Sequence, residues 1–252
     1  MIGVFDSGVG GLGILHEIRR LMPEADLVYL ADQANAPYGE RTLDEVRILA
    51  ERAARRLIDL GAVTVVVACN TASAAALHPL RARFPDVGFV GMEPAVKPAA
   101  VTTRTGIVGV LATPATFQAD VLDGLVDRFA DGVTVLPRPC PGWADLVEDP
   151  NGDEVAAVAA QVEPLVRSGA DTLVIACTHY TFLADTIRTA AGPGVTVIDP
   201  AEAVARQVTR VADGSGTGAT TYLTTGEPGR FVAQIQRLLG ATAPVRGIPP
   251  EA

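Results

Sequence analysis

Short apolar segments alternate with longer amphipathic ones through the first hundred residues. The apolar segments have the length of strands, and the segments between them repeat apolar residues every three or four positions, as helices that cover a sheet do. The predicted strands are residues 1–5, 26–32, 63–69 and 87–92, and the predicted helices are residues 10–22, 43–61 and 71–84. Strands that alternate with helices in this way predict a parallel sheet covered on both faces.

The same alternation resumes near residue 106. The predicted strands are residues 106–112, 133–139, 171–177, 195–200 and 220–226, and the predicted helices are residues 117–130, 155–169, 229–240 and one that begins at Ala201. We expect the proline-containing tail, residues 241–252, to be mobile.

Part of the sequence is repeated. Residues 57–73, LIDLGAVTVVVACNTAS, return as residues 165–181, LVRSGADTLVIACTHYT, and the offset of 108 relates Cys69 to Cys177. Both cysteines end predicted strands, where functional residues collect in parallel sheets. The repeat therefore predicts that the two thiols occupy equivalent positions.

A second repeat, with an offset of 106, relates residues 2–7 to residues 108–113. Together the repeats predict an α/β fold of two similar α/β/α domains with mainly parallel sheets, related by pseudo-two-fold symmetry. The predicted domains are residues 1–98 with 209–252, and residues 99–208. We expect the active site in the cleft between them, with one thiol on each side.

Composition excludes several classes of function. The chain has 252 residues, a formal charge of −9 and a pI near 4.8, which argues against a general nucleic-acid surface. Three cysteines and the absence of a recognisable signal segment predict free thiols in a cytoplasmic protein. No apolar stretch approaches the roughly 18 residues of a membrane helix, so we expect no membrane partner.

The glycine-rich segment from Gly8 to Gly13 satisfies G-x-G-x-x-G, and Asp32 ends the next predicted strand, as in a dinucleotide site. However, Asp6 and Ser7 precede the first glycine and would place a carboxylate near a pyrophosphate. A glycine loop that allows close packing is the favoured interpretation.

Each of Cys69 and Cys177 precedes small polar residues at a predicted helix start, where free N–H groups can lower a thiol pKa and bind a carboxylate. The alternative is a pair of buried core cysteines, but the repetition of the whole setting favours catalysis. Cys140 lacks that setting, and we expect it to be structural.

The sequence offers candidate residues for two cofactors. A zinc site from Cys69, Cys177 and His179 is chemically conceivable, yet no C-x-x-C spacing occurs. Pyridoxal phosphate would need Lys97, the only lysine, which lies in no recognisable phosphate cradle. We therefore expect neither a metal nor an organic cofactor.

Six motifs, in order, resemble those of the glutamate racemase family: GVFDSGVGGL, APYGER, ACNTASA, GMEPAVKPA, CPGWADLVE and ACTHYTFL. The resemblance implies a cofactor-independent enzyme that interconverts L- and D-glutamate and supplies D-glutamate for peptidoglycan. It implies that Cys69 and Cys177 act from opposite sides of the α-carbon. Asp6 would assist the first thiol, and His179 with Glu148 would assist the second.

The resemblance also implies substrate contacts and a homodimer. The contacts would come from Asp6, Ser7, Tyr38, Gly39, Asn70, Thr71, Thr178 and His179. The chain departs from the usual motifs at Gly13, Ala31, Trp143, Asp145, Ala176 and Thr181 without losing an implied catalytic group.

Two other functions stay open on the sequence. An aspartate or hydantoin racemase of the same superfamily could keep both thiols, although the full motif set argues against it. A non-catalytic protein that holds an acidic ligand, or that inhibits DNA gyrase, would leave the paired thiols without a role.

Overall fold

Ten strands are formed by the part of the chain that the computed structural model describes, residues 1–118 and 121–250. In chain order they are β1 (Ile2–Asp6), β2 (Leu27–Ala31), β3 (Thr64–Val67), β4 (Gly88–Val90), β5 (Ile107–Ala112), β6 (Thr134–Pro139), β7 (Thr172–Ile175), β8 (Thr196–Ile198), β9 (Thr220–Thr224) and β10 (Val245–Gly247).

The α-helices of the same residues lie between these strands. They are α1 (Leu12–Leu21), α2 (Leu43–Asp59), α3 (Asn70–Arg83), α4 (Val96–Thr102), α5 (Val121–Phe129), α6 (Trp143–Glu148), α7 (Glu154–Arg167), α8 (Ala184–Ala191), α9 (Ala201–Val211) and α10 (Pro228–Leu239). Short 3₁₀ helices occupy Gln33–Asn35, Tyr38–Glu40, Pro114–Gln118 and Thr178–Leu183.

The strands form two sheets, of order β10-β9-β2-β1-β3-β4 and β6-β5-β7-β8. Every ladder between described strands is parallel. Helices α2, α3, α9 and α10 contact the first sheet, and α1 packs along α9 and α10. Helices α4 and α8 contact the second sheet, while α5 packs on α4, α7 on α8 and α6 on α7. We call these assemblies the first lobe and the second lobe. The prediction of an α/β fold with parallel sheets in two domains is confirmed.

The sequence repeat is also a repeat of strand pairing. Phe5 in β1 pairs with Val67 in β3, and Leu111 in β5 pairs with Ile175 in β7. The offsets of 106 and 108 carry the first pair onto the second. Both cysteines consequently lie just beyond the carboxyl ends of equivalent strands.

Two helices that cross the predicted domain limits each pack as a whole with one lobe. The predicted domain limits, after residues 98 and 208, fall inside α4 and α9. Helix α4 contacts β7 and α5 of the second lobe, whereas α9 packs along α1 of the first. The domain limits themselves stay a prediction.

One expectation for local structure is wrong, and some helices were missed. The tail was expected to be mobile, but β10 pairs with β9, and Ile248 is buried and donates its N–H to the carbonyl of Thr224 at 2.8 Å. Residues 251–252 lie outside the described residues. The helix predicted at 117–130 is present as α5, and its residues 119–120 also lie outside. Helices α4, α6 and α8 were not predicted, because such short segments carry little periodicity.

Aromatic packing fixes α10 to the first sheet. Phe231 is fully buried, with its ring centroid 5.9 Å from that of Tyr29 and 6.3 Å from that of Tyr222. Packing of this kind holds the last helix rigidly beside β2 and β9. Among the described helices, none is both long enough and apolar enough to cross a bilayer.

We expect Phe231→Ala to lower the free energy of unfolding by about 3–5 kcal/mol, because it removes a buried ring and leaves a cavity between α10 and the sheet. Urea denaturation measures this loss. The exposed Val211→Ala change is the control and should cost under about 0.5 kcal/mol. A Phe231→Ala loss no larger than the control's would contradict this role of the ring.

Candidate active site

A cavity of about 210 Å³ lies between the two lobes. Both Cys69 and Cys177 line it. So do eight other residues proposed from the sequence: Ser7, Tyr38, Gly39, Asn70, Thr71, Glu148, Thr178 and His179. Asp6 does not line the cavity, because it is fully buried beneath the cavity wall.

Cys69 caps the N-terminus of α3. Its Sγ accepts the N–H of Ala72 at 3.4 Å, and the side chain is only 6% exposed. Burial raises the pKa of the Cys69 thiol well above its ordinary value, and the negative charge of Asp6 raises it further. The thiol on this side of the cavity is therefore held protonated.

Asp6 is the last residue of β1, and the hydrogen-bonding capacity of its carboxylate is only partly satisfied. Oδ2 accepts the N–H of Gly11 at 2.8 Å, while the buried Oδ1 has no hydrogen-bond partner among the described residues. Burial raises the pKa of Asp6, although the charge of His179 opposes that rise. This carboxylate is thus a potential proton acceptor that is held next to Cys69.

Cys177 faces an imidazole instead of a carboxylate. Its Sγ lies 4.0 Å from Nδ1 of His179, and Nε2 of the same ring lies 3.0 Å from Oε1 of Glu148. Burial alone would lower the pKa of His179, but its contacts with Cys177 and Glu148 raise that pKa well above the ordinary value. The ring is therefore an imidazolium that points at the sulfur.

Glu148 belongs to α6 of the second lobe but bonds mainly to the first lobe. Oε1 accepts the N–H of Val9 at 2.9 Å, and Oε2 accepts an N–H of Gln234 at 2.9 Å. Burial would raise the pKa of Glu148, but the hydrogen bond and charge of His179, with the N–H of Val9 and the amide of Gln234, lower it to about 2. The carboxylate that pairs with His179 is therefore also held by groups of the first lobe.

Close contact between the lobes explains the glycine-rich loop. A Cβ on Gly8 would lie 1.8 Å from Oε1 of Glu148, and a Cβ on Gly10 would lie 2.5 Å from Nδ1 of His179. The carboxylate of Asp32, which a dinucleotide would need, is occupied by Tyr38 Oη at 2.6 Å and Thr225 Oγ1 at 2.8 Å. These contacts support the packing interpretation of the loop.

Unsatisfied polar groups in the cavity wall mark a polar ligand. Asn70 is 3% exposed, and neither its Oδ1 nor its Nδ2 has a hydrogen-bond partner among the described residues. Thr71 Oγ1 lies 3.1 Å from Oγ1 of Thr113, which also contacts Thr116 Oγ1 at 2.9 Å. Such buried polar atoms are normally satisfied, so a ligand is the expected partner for Asn70.

Tyr38 and Gly39 approach the cavity from the first lobe. The Tyr38 hydroxyl already donates to Asp32, so its role at the cavity is to form the wall. A Cβ on Gly39 would lie 2.9 Å from Cβ of Thr113, which again shows a glycine at a contact between the lobes.

The residues considered for a metal or pyridoxal phosphate, and the third cysteine, have other surroundings than the two cavity thiols. Within the described residues, no three His, Cys, Asp or Glu side chains are grouped so that they could hold a metal ion. Lys97 lies outside the cavity lining, with Nζ 5.4 Å from the ring centroid of Phe129. Cys140 does line the cavity, but Sγ donates to the carbonyl of Arg138 at 3.3 Å and burial raises its pKa to about 12.

Sequence reasoning missed several residues of the site, among them Gln33, Thr113, Arg230 and Gln234. Thr113 could have been found, because the 106-residue offset relates it to Ser7. The two glutamines and Arg230 carry no comparable signal, since they come from elements that fold back onto the site.

Comparisons with known proteins show the family to which the chain belongs. Residues 13–208 match the model of the family described as Asp/Glu/Hydantoin racemase. A glutamate racemase of Roseiflexus sp. is 49% identical over 94% of this chain and 91% of its own length. A crystal structure of Escherichia coli glutamate racemase, with L-glutamate and the activator UDP-MurNAc-ala, has a TM-score of 0.89 at 29% identity and covers 98% of this chain and 97% of that one. The Thermus thermophilus glutamate racemase, in complex with beta-chloro-D-alanine, has a TM-score of 0.83 at 35% identity and covers 98% and 96%.

We expect Gly8→Ala to lower the free energy of unfolding by roughly 1–3 kcal/mol, because the new methyl group overlaps Oε1 of Glu148. Gly13→Ala is the matched control in the same segment. Its Cβ would lie 3.4 Å from the nearest atom, and alanine in helix α1 is favoured by about 0.5–1 kcal/mol. Equal effects of the two substitutions in urea denaturation would contradict the close contact.

The Glu148–His179 pair predicts a window of pH in which it stabilises the fold most. The lowered pKa of Glu148 contributes stability that is complete above its ordinary value of 4.5 and lost as pH falls towards about 2. The raised pKa of His179 contributes stability that is complete below 6.5 and lost as pH rises through the folded-state pKa. The difference in free energy of unfolding between the native chain and Glu148→Gln should peak between pH 4.5 and 6.5. A difference that does not vary with pH would refute the pairing.

Proposed function

The chain belongs to the glutamate racemases of the Asp/Glu/hydantoin racemase family, and from this premise we propose that it interconverts L- and D-glutamate through Cys69 and Cys177. The observation that carries this assignment of roles is the placement of two thiols in one cavity with opposite partners. A carboxylate lies beside one thiol and an imidazolium beside the other. Racemisation requires a base and an acid on opposite faces of one carbon, and this arrangement supplies both.

In one direction Cys177, as a thiolate paired with the His179 imidazolium, removes the α-proton. Cys69, as a thiol, gives its proton to the opposite face, so one C–H bond breaks and another forms. The sulfur of Cys69 is then a thiolate, and Cys177 is a thiol. No electron leaves the substrate, and no oxidant or reductant is needed.

The reverse direction needs the opposite protonation states. The carboxylate of Asp6 is placed to take the proton of Cys69, and its raised pKa makes it a stronger base than an exposed carboxylate. On the other side the His179 imidazolium can give its proton to Cys177. Each thiol thus has a neighbour that exchanges a proton with it, which lets the enzyme return to either starting state.

Binding of glutamate is assigned to the polar wall. The unpartnered amide of Asn70, with N–H groups at the start of α3, suits a carboxylate of the substrate. Ser7, Thr71 and Thr178 add hydroxyl groups around the same cavity. Its volume of about 210 Å³ suits a single small amino acid. Asp6, although expected to touch substrate, acts in this proposal through Cys69.

The metabolic role, cellular location and oligomeric state are proposed from the family alone. The D-glutamate formed would enter peptidoglycan synthesis in the cytoplasm, and the enzyme would work as a homodimer without metal or organic cofactor.

The direct test is chiral chromatography of L-glutamate incubated with the purified chain, a chelator and no pyridoxal phosphate. Equal amounts of L- and D-glutamate should form. L-aspartate and hydantoins serve as comparison substrates, and racemisation of one of these without that of glutamate would overturn the proposed specificity.

We expect Cys69→Ser and Cys177→Ser each to lower kcat on the order of 10³-fold, because a serine hydroxyl is too weak an acid and base for this proton transfer. Cys140→Ala is the control, since its thiol is bonded to a backbone carbonyl, and it should retain most of the activity. Near-normal rates in either serine variant would exclude the two-thiol mechanism.

A further inference from the structure

A buried glutamine on α10 reaches across the lobe boundary to Glu148. Nε2 of Gln234 donates to the backbone carbonyl of Glu148 at 2.9 Å and to its Oε2 at 2.9 Å. Both amide hydrogens are therefore used on one residue, which fixes the carboxylate relative to its own backbone. Gln234 is 4% exposed and does not line the cavity, so it has no contact with a ligand there.

A second glutamine fixes the orientation of the first. Nε2 of Gln33 donates to Oε1 of Gln234 at 2.7 Å, and Oε1 of Gln33 accepts the hydroxyl of Thr224 at 2.8 Å. Because Oε1 of Gln234 is engaged as an acceptor, its Nε2 must face Glu148. The orientation is set by elements of the first lobe, β9 and the segment after β2.

We propose that Gln234 is a positioning residue, which holds the carboxylate of Glu148 against His179 and so sets the geometry on the Cys177 side of the cavity. This inference rests on the proposed function for its kinetic consequence only. The chain of hydrogen bonds runs from Gln234 through Glu148 to His179, and the last of these contacts Cys177.

None of the charged and titratable groups described around Glu148 holds its Oε2 in place as Gln234 does. His179 is the cation that pairs with the carboxylate, and Arg237 donates to the backbone carbonyls of residues 147 and 148. Asp6 and Tyr29 are the other titratable groups that interact with it, and both are fully buried. Val9 and Gln33 add neutral donors, and the Gln33 bond is long, at 3.4 Å.

Replacement by leucine removes both donors and keeps a similar bulk. We expect Gln234→Leu to lower kcat about tenfold with KM little changed. The substitution removes a hydrogen bond to a charged group but removes no contact with the substrate. In Gln234→Leu the pH range over which kcat/KM is high should become narrower, because Glu148 loses a hydrogen-bond donor and His179 loses a partner held in a fixed position. Gln234→Glu keeps the shape but opposes two carboxylates, so it should be at least as impaired.

Histidine NMR supplies a readout that does not depend on racemisation. The chain has three histidines, and His179→Gln identifies the signal of interest. The titration midpoint of His179 should fall in Gln234→Leu. Gln236→Leu, an exposed position on the same helix, should leave both the midpoint and kcat unchanged.

An unchanged His179 midpoint in Gln234→Leu would overturn the proposal, whatever the activity. So would a rise in KM at constant kcat, which would indicate a binding role. If the native chain fails to racemise glutamate while the midpoint still falls, the proposed function is wrong and the positioning by Gln234 stands.

Discussion

The Glu148 carboxylate, which is only 14% exposed and is bonded by groups of both lobes, is the constraint on which this structure depends. Burying a charge is costly unless it is paired and hydrogen-bonded, and Glu148 meets that condition only with groups from both lobes. The imidazolium of His179 comes from its own lobe, while the N–H of Val9 and the amide of Gln234 come from the other. The close approach of Gly8, the hydrogen bonds between the lobes and the charge beside Cys177 all involve this one group.

The fold is repeated, but the chemistry is not. The offsets that carry β1 onto β5 and β3 onto β7 also relate Asp6 to Ala112 and Thr71 to His179. Each lobe therefore supplies one thiol at an equivalent strand end, and each gives that thiol a different partner. A carboxylate favours the thiol form and an imidazolium favours the thiolate, so a near-symmetric scaffold holds an asymmetric pair. Racemisation of one carbon needs that asymmetry, because its two faces must meet an acid and a base.

Much of the fold could be predicted because it rests on local patterns. Alternating strands and helices, and a repeat that preserves strand register, were sufficient for the parallel sheets and for the position of both cysteines. The depth of Asp6, the pairing of β10 and the Gln33–Gln234 contact could not be predicted. The last two depend on where the chain returns after residue 211, which no local periodicity records. Thr113 could have been predicted from the repeat, because the repeat relates it to Ser7. Gln234 could not, because in the sequence it is one of several polar residues on an amphipathic helix.

The central claim is that two different groups act on opposite faces of the α-carbon. The measurement that tests it most directly is the position of deuterium when protiated L-glutamate is racemised in deuterium oxide and sampled at low conversion. Two thiols predict α-deuterium in the D-glutamate formed, while the remaining L-glutamate stays protiated, because each face exchanges through its own group. Equal deuterium in both enantiomers from the first samples would indicate a single base and contradict the account.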